Sequence, residues 1–265
     1  MTRLRDHTAA IVRALLTADP AVVALDYDGT LTEIVPDPDH ARLTPARRRV
    51  LAKASRLPRV RLVVLSGRCC ADASLRVGVD GIPVVGNHGL ELEGWRIPDA
   101  ERWRESLVAF LERLAAATCA LPRVNVEDKG LTATVHLAEI RSDVARDGLL
   151  RELGKLLGEP AAGGDLLRLH PGKASVEVRP AVDWDKAGAL RLLLERWGAL
   201  PANVFYAGDD VTDECVFREV AEGFTVKVGE GESHARYRAE GPEEVYDFLR
   251  VLGGDLPQNP AASPA

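Results

Sequence analysis

The stretch AVVALDYDGTLTE, residues 21–33, decides how this chain is read. Its apolar run over 21–25 predicts a short buried strand. Two carboxylates follow, Asp26 and Asp28, and then Gly29, where the backbone can turn away. Carboxylates at the carboxyl end of a parallel strand stand where open α/β sheets bind their ligands. Two acids this close repel each other in a dry site unless a cation sits between them. Asp and Gly are also ordinary turn residues, so an Asx turn capping a strand is the competing reading. Distant acids and a lysine that complete a site separate the two.

Outward from this stretch the pattern alternates. Residues 6–18 predict an amphipathic helix leading into the strand. Thr44-Pro45 supplies an N-cap and a proline at the first helical position, opening a helix to about residue 57. A second strand over 61–65 runs into Ser66-Gly67-Arg68, and a helix begins near Cys69. A third strand over 83–85 ends in Gly86-Asn87-His88-Gly89. The pattern then changes: a long helix over 99–118, strands over 123–128 and 131–137 joined through Lys129-Gly130 as a tight hairpin, a helix over 142–157, and strands over 166–169 and 175–179. Helix-strand-strand given twice is an α+β unit of its own. From residue 183 the alternation resumes, with helices over 185–197, 212–221 and 242–252 and strands over 203–207 and 224–228. The expected fold is α/β, with a doubly wound, Rossmann-like parallel-sheet core over 1–96 and 183–253. An α+β domain is inserted over 97–182, and a disordered tail follows over 254–265.

The stretch VFYAGDDVTDE, residues 204–214, repeats the opening logic. Asp209 is the first acid after this strand, followed by Asp210, Asp213 and Glu214. Acids converging from two strand ends suit Mg²⁺, which takes one or two carboxylates and completes its octahedron with water and phosphate oxygens. Helix capping by Asp210 or Thr212 is the alternative, with acids favoured by the helix dipole. Ser66 and the backbone N–H groups through Gly67 can hold a phosphate oxygen between strand and helix, although an N-capping serine explains SGR about as well. Arg68 either binds phosphate or pairs with a surface acid. Lys186, at a helix start, places an ammonium where it offsets charge in a transition state. Together these residues suit phosphoryl transfer to Asp26, with Asp28 protonating the leaving oxygen and then activating water.

Composition narrows the partners. The chain has 265 residues, of which 46% are apolar, enough for a large core. Its net charge of −6, from 34 basic and 40 acidic residues, leaves no basic footprint for nucleic acid. The four cysteines show no CxxC spacing or disulfide framework, which suits a reducing compartment; adjacent Cys69 and Cys70 read as core or helix-start residues. The N-terminus lacks the apolar core of a signal peptide, and no apolar run approaches the roughly 20 residues of a membrane span. A soluble, cytoplasmic protein is expected.

DYDGTL, LSGR, a later lysine and GDDVTDE, in this order, resemble the haloacid dehalogenase-type phosphatases from about residue 21 to 230. The αββαββ insert resembles the type IIB cap of that superfamily. GNHGLE (86–91), VEDKG (126–130), PGKASVEVRP (171–180) and GDDVTDE (208–214) resemble the trehalose-6-phosphate phosphatase family. The resemblance implies that Asp26 is the nucleophile and Asp28 the acid/base, and that Ser66 and Lys186 bind phosphate. It implies a Mg²⁺ site on Asp26, Asp28 and Asp209, with Asp210 and Asp213 behind it. The cap would read a disaccharide through Glu127, Lys129, Lys173 and Glu177, with Asn87 and His88 facing the sugar unless His88 is a plain turn residue. Two departures stand out. Ala187 follows Lys186 where the family commonly has glycine, and His136-Leu137-Ala138 replaces His-Tyr-Arg, leaving Arg141 as the candidate for the missing arginine. The implied activity is hydrolysis of trehalose 6-phosphate, a small sugar phosphate; a monomer that meets neither nucleic acid nor membrane is expected. Phosphatases of sucrose 6-phosphate or mannosyl-3-phosphoglycerate, and a non-catalytic regulatory domain, are the alternatives.

Overall fold

The computed structural model describes residues 1–255 apart from 36, 93–94, 119–123, 138–139, 141, 159–165 and 172–174. A short strand β1 (Thr2–Arg3) and helix α1 (Thr8–Thr17) lead into β2 (Ala21–Asp26). Then come α2 (Pro45–Ser55), β3 (Val60–Leu65), α3 (Cys70–Val77), β4 (Val84–Gly86) and β5 (Glu91–Leu92). The inserted unit holds β6 (Trp95–Arg96), α4 (Ala100–Thr118), β7 (Asn125–Asp128), β8 (Ala133–His136), α5 (Asp143–Leu157), β9 (Leu167–Pro171) and β10 (Ser175–Pro180). The chain closes with α6 (Lys186–Trp197), β11 (Val204–Gly208), α7 (Glu214–Glu219), β12 (Phe224–Val228), β13 (Tyr237–Ala239) and α8 (Pro242–Leu252). Two compact units result, Met1–Gly94 with Trp184–Ala265, and Trp95–Asp183.

In the first unit the strands lie in the order β1-β13-β12-β11-β2-β3-β4-β5. All pair in parallel except β5, which turns back antiparallel on β4 through Val85↔Leu92 and Gly86↔Glu91. From β2 the chain steps to β3 and β4 on one side; the strands after the insert build outward from β11 on the other. The order therefore reverses between β2 and β11, whose register runs from Val204↔Val22 to Ala207↔Leu25. A crevice opens outside the carboxyl ends of the strands at such a reversal. The residues that β2 and β11 deliver there are Asp26 and, just past Gly208, Asp209.

Every residue of β2 is buried, because helices cover both faces of the sheet. Period-two alternation sends Val23 and Leu25 to a core shared with α1, α2 and α8, and Val22 and Ala24 to one shared with α6 and α7. On the first face Phe205 stacks on Phe248 with ring centroids 3.9 Å apart. Buried tyrosines tie down the chain beyond β2: Tyr27 Oη donates to the Ala41 carbonyl and Tyr246 Oη to the Leu31 carbonyl, each at 3.1 Å.

The inserted unit has its own core, in which Leu107, Phe110 and Leu114 of α4 and Leu149 and Leu153 of α5 cover Ala133, Val135, Val176 and Val178. Its antiparallel sheet runs β7-β8-β10-β9. The register aligns Glu127, Thr134, Glu177 and His170 in one row across the strands. Directly paired residues share a face, so this row lies opposite the face that packs on the helices.

Several expectations needed adjustment. The tight hairpin between β7 and β8 is centred one residue later than Lys129-Gly130: the Asp128↔Ala133 register continues inward as Lys129 N donates to the Thr132 carbonyl at 2.8 Å, leaving Gly130, at φ +89, and Leu131 to make the turn. The helix expected over 212–221 begins as a 3-10 turn, Val211–Asp213, and α7 proper covers only Glu214–Glu219. The two- and three-residue strands β5 and β13 carry too few side chains for periodicity to register. Lys173, Ala138, Arg141 and the tail from 256 lie outside the described residues. No described helix is long and apolar enough to cross a membrane.

Phe248 is fully buried against Phe205. Phe248→Ala should lower the unfolding free energy by about 3–5 kcal/mol, read from urea denaturation midpoints at unchanged slope.

Candidate active site

At the carboxyl ends of β2 and β11 the chain buries a lysine among aspartates. Lys186 Nζ lies 2.7 Å from Asp26 Oδ1 and 2.7 Å from Asp213 Oδ1, with side-chain exposures of 3% for the lysine and 0% for Asp213. Tyr206 Oη donates to the same Asp213 oxygen at 2.6 Å, and the Asp210 N–H donates to Asp213 Oδ2 at 3.0 Å. Asp26, Asp209 and Asp213 each offer an oxygen within 4.8 Å of the others.

Local folding explains how each group arrives. Lys186 is the first residue of α6, capped by Asp185, whose Oδ1 accepts from Ala187 N at 2.9 Å and Gly188 N at 3.0 Å. Ala187, in place of glycine, is the second residue of this helix. The helix start is clamped from outside by Gly89, at φ +105, where an added Cβ would lie 2.3 Å from the Asp185 carbonyl oxygen. Trp184 Nε1 donates to the Gly89 carbonyl at 2.8 Å. Gly29, at φ +81, clears space on the other side: a Cβ there would stand 2.1 Å from Asp209 Oδ2. Asp210 caps the turn after β11 and Asp213 completes a capping box with it, so the capping reading holds for both. Asp213 does both jobs, since its Oδ1 faces Lys186.

The charges settle unevenly. Burial alone would lower the Lys186 pKa, but the Asp213 and Asp26 charges outweigh it and hold the ammonium charged far above its usual range. Burial also opposes ionisation of Asp213, yet the Lys186 charge, with donors from Lys186, Tyr206 and the Asp210 N–H, keeps its carboxyl below the usual value. With Lys186 and Asp213 paired, Asp26 and Asp209 remain in surplus. Burial pushes Asp26 well above the carboxylate range, with Asp213 and Asp209 adding to the effect and Lys186 opposing it. Burial and then the Asp213 and Asp210 charges push Asp209 up to about 7. Two carboxylates destabilised in this way, with the Gly29 turn leaving Asp209 room, fit a cation between them.

The remaining expected residues lie around the SGR loop and the Asn87-His88 turn. Ser66 is buried, and its Oγ accepts from Arg68 N at 3.1 Å; the N-cap of α3 is Cys69. Gly67 packs under His88, whose Cε1 would lie 2.4 Å from an added Cβ. Asn87 and His88 both take left-handed backbone angles, φ +47 and +56. Asn87 is 0% exposed and its Nδ2 donates to Glu91 Oε1 at 2.9 Å, so its amide serves this turn instead of facing a sugar. His88 donates its backbone N–H to the Ser66 carbonyl at 3.0 Å, which ties the turn to the SGR loop. Arg68 is paired with acids, chiefly Asp28, through Nε at 2.7 Å and Nη2 at 2.8 Å.

In the inserted unit, Lys129 Nζ lies 3.9 Å from Glu127 and 3.7 Å from Glu177. His136 Nε2 lies 3.4 Å from Glu127 Oε2, and Arg179 pairs with Glu177. Thus three of the four expected cap residues gather on one polar sheet face, joined by His136 and Arg179.

Sequence reasoning missed Tyr206, Arg179 and Lys227, whose Nζ donates to the Asp209 carbonyl. Tyr206 was legible in principle: alternation along β11 puts it on the same face as Val204, against α6. Lys186→Met should strand Asp213 as a buried unpaired charge and lower stability by about 3–5 kcal/mol at neutral pH, measured by urea unfolding.

Comparison with known proteins places this site in a family. The trehalose-phosphatase family model matches residues 24–243. A trehalose-phosphate phosphatase of Mycobacterium marinum is 34% identical over 276 residues, covering 97% of this chain and 67% of that protein. The C-terminal domain of the Candida albicans trehalose-6-phosphate phosphatase superposes with a TM-score of 0.75 at 24% identity, covering 93% of this chain and 97% of that one. The C-terminal domain of a Candida albicans trehalose synthase regulatory protein shares the fold too, with a TM-score of 0.69 at 16% identity over 91% of this chain and 97% of that one. Fold alone therefore does not separate enzyme from regulator, but the sequence match does place the chain: it belongs to the trehalose-phosphatase family.

Proposed function

We propose that this protein hydrolyses trehalose 6-phosphate to trehalose and phosphate, through an aspartyl-phosphate on Asp26. The observation that carries the reading is the buried Asp26–Lys186–Asp213 contact with Asp209 beside it, in a chain of this family. Asp26 attacks phosphorus in line with the leaving sugar oxygen. Lys186 holds a fixed positive charge against the attacking oxygen, so charge gathering on the phosphoryl group meets a preorganised ammonium. The SGR loop supplies the Ser66 hydroxyl and the Gly67 backbone to the phosphoryl oxygens. Asp28 gives its proton to the leaving sugar oxygen, then accepts one from the water that attacks the phosphorus and frees Asp26. The retained acids favour catalysis over the regulatory alternative.

Asp26 and Asp209, with the Asp28 carbonyl, are the groups we assign to Mg²⁺, because their surplus negative charge and oxygen-only donors suit a hard cation. Asp213 is engaged by Lys186, Tyr206 and the Asp210 N–H and steadies the site from behind. Such an ion, when bound, neutralises phosphate and nucleophile so that like charges can meet.

We assign sugar recognition to Glu127, Lys129 and Glu177, with Lys173 by sequence position. Carboxylates accept from sugar hydroxyls and ammonium groups donate to them. Arg179, on the same face, is the described arginine best placed to serve for the one absent after His136. We place the protein in the cytoplasm as a monomer.

Phosphate release should be measured from trehalose 6-phosphate, sucrose 6-phosphate, glucose 6-phosphate and mannosyl-3-phosphoglycerate. A strong preference for trehalose 6-phosphate is expected; preference for another sugar would discard the cap assignment and keep the Asp26 chemistry. EDTA should abolish turnover and excess Mg²⁺ restore it, with Mg²⁺ also raising the melting temperature of the parent protein. Asp26→Asn should fold normally, by circular dichroism, yet fall below about one thousandth of the parent rate. Substantial residual turnover would rule out the covalent route.

A further inference from the structure

A ladder of alternating charges joins the DYDGTL turn to the SGR turn, and the reaction as described makes no use of it. Arg68 forks onto Asp28 through Nε and Nη2, at 2.7 and 2.8 Å. Its Nη1 donates to Asp72 Oδ2 at 3.1 Å. Asp72 also accepts from Arg76 Nε, at 2.8 and 2.7 Å. Arg76 is fastened in turn by the Asp39 and Ala41 carbonyls, at 3.2 and 3.4 Å, and by Asp39 Oδ1 at 2.7 Å.

The arginines of the ladder and the acids at its ends differ in freedom. The side chains of Arg68 and Arg76 are about as buried as core residues, at 10% and 8% exposure, whereas the Asp28 side chain is 43% exposed. The guanidinium is therefore fixed, and the carboxylate is the part able to leave. A carboxylate with both oxygens accepting from one guanidinium has no oxygen placed to deliver a proton to a leaving group. Asp28 must come off the fork to act as an acid.

We infer that Arg68 is a positioning residue, which gives the Asp28 carboxylate a defined resting place and so governs its delivery to the leaving sugar oxygen. This rests on the acid/base reading of Asp28 proposed above. Off the fork, the Asp28 carboxylate takes up a proton from solvent; in the step it serves, that O–H bond breaks as the sugar oxygen gains the proton, the phosphorus–sugar oxygen bond breaks, and the bond from Asp26 to phosphorus forms. The Asp28 carboxylate then takes a proton from the attacking water. The arginine that the sequence offered to phosphate thus acts on the proton-transfer half of the reaction.

A substrate whose leaving group needs no proton isolates this role. The readout is kcat/KM for the sugar phosphate turned over fastest, divided by kcat/KM for p-nitrophenyl phosphate. It should be measured in the parent, Arg68→Gln, Arg68→Lys and Asp72→Asn, each checked by thermal unfolding. Arg68→Gln should lower the ratio by about tenfold or more, within the range that general acid catalysis supplies. Arg68→Lys should recover part of it, and Asp72→Asn, which keeps Arg68 but removes its anchor, should lower it less. An unchanged ratio, with or without an equal fall in both rates, overturns the inference. So does an inhibition constant for inorganic phosphate that rises in step with both KM values, which would make Arg68 a phosphate ligand. Should Arg68→Gln fail to fold, the Asp72→Asn ratio decides by itself. Asp28→Asn, run alongside, separates the two failures. If it spares the ratio, the acid/base reading falls; if it collapses the ratio while Arg68→Gln does not, only the positioning role falls.

Discussion

The site depends on one buried ammonium. Lys186 sits between Asp26 and Asp213 with almost no access to water, and each of the three would be costly alone in that environment. Their mutual dependence dictates much of the surrounding architecture. β2 must end at Asp26, α6 must begin at Lys186, and the turn after β11 must bring Asp213 back underneath Gly208. Glycine at 208 follows from that last demand, because an added Cβ would lie 2.4 Å from the Asp213 carboxyl carbon.

One ammonium does not balance the acids around it. Lys186 is shared between Asp26 and Asp213, and among the described residues Lys227 is the further cation acting on Asp209, so three buried carboxylates outnumber the charge set against them. Such a site is less stable without its ligands than a neutral core of the same size, as expected where binding groups are held ready at the expense of stability. On the proposed reading, a dianionic phosphate would approach two carboxylates more readily with a divalent ion held by Asp26 and Asp209 between them. The electrostatics and the family membership therefore point the same way from independent starting points.

Much of the fold was legible because its signals are local. The apolar run ending in Asp26, the Thr44-Pro45 helix start and the change to helix-strand-strand after residue 97 each carry their own periodicity. The α6 start at Lys186 follows from Asp185 as a cap, and the convergence of Asp26 with Asp209 follows from one ending, and the other lying one step past, a buried parallel strand. Pairwise choices among side chains were not legible. Whether Arg68 would reach for phosphate or for Asp28 depends on Asp72 and Arg76, one and two helical turns away, which fix where the guanidinium lies. Asn87 was offered to the sugar by the family resemblance alone; its left-handed backbone and the buried Glu91 hold its amide in the turn. Tyr206 is a core residue whose hydroxyl ends on Asp213.

The bond from Trp184 to the Gly89 carbonyl joins positions 95 residues apart at the point where the chain leaves and re-enters the core. In polymer terms everything between them is a loop already closed at its base. The entropy of closing such a loop grows only with the logarithm of its length, by about 0.6 kcal/mol for each doubling. The core thus pays nearly the same whether the intervening chain is short or long, provided that it folds upon its own apolar face. A catalytic frame built this way is insulated from the size of what it carries, so the inserted unit can be enlarged or exchanged while the aspartates keep their places.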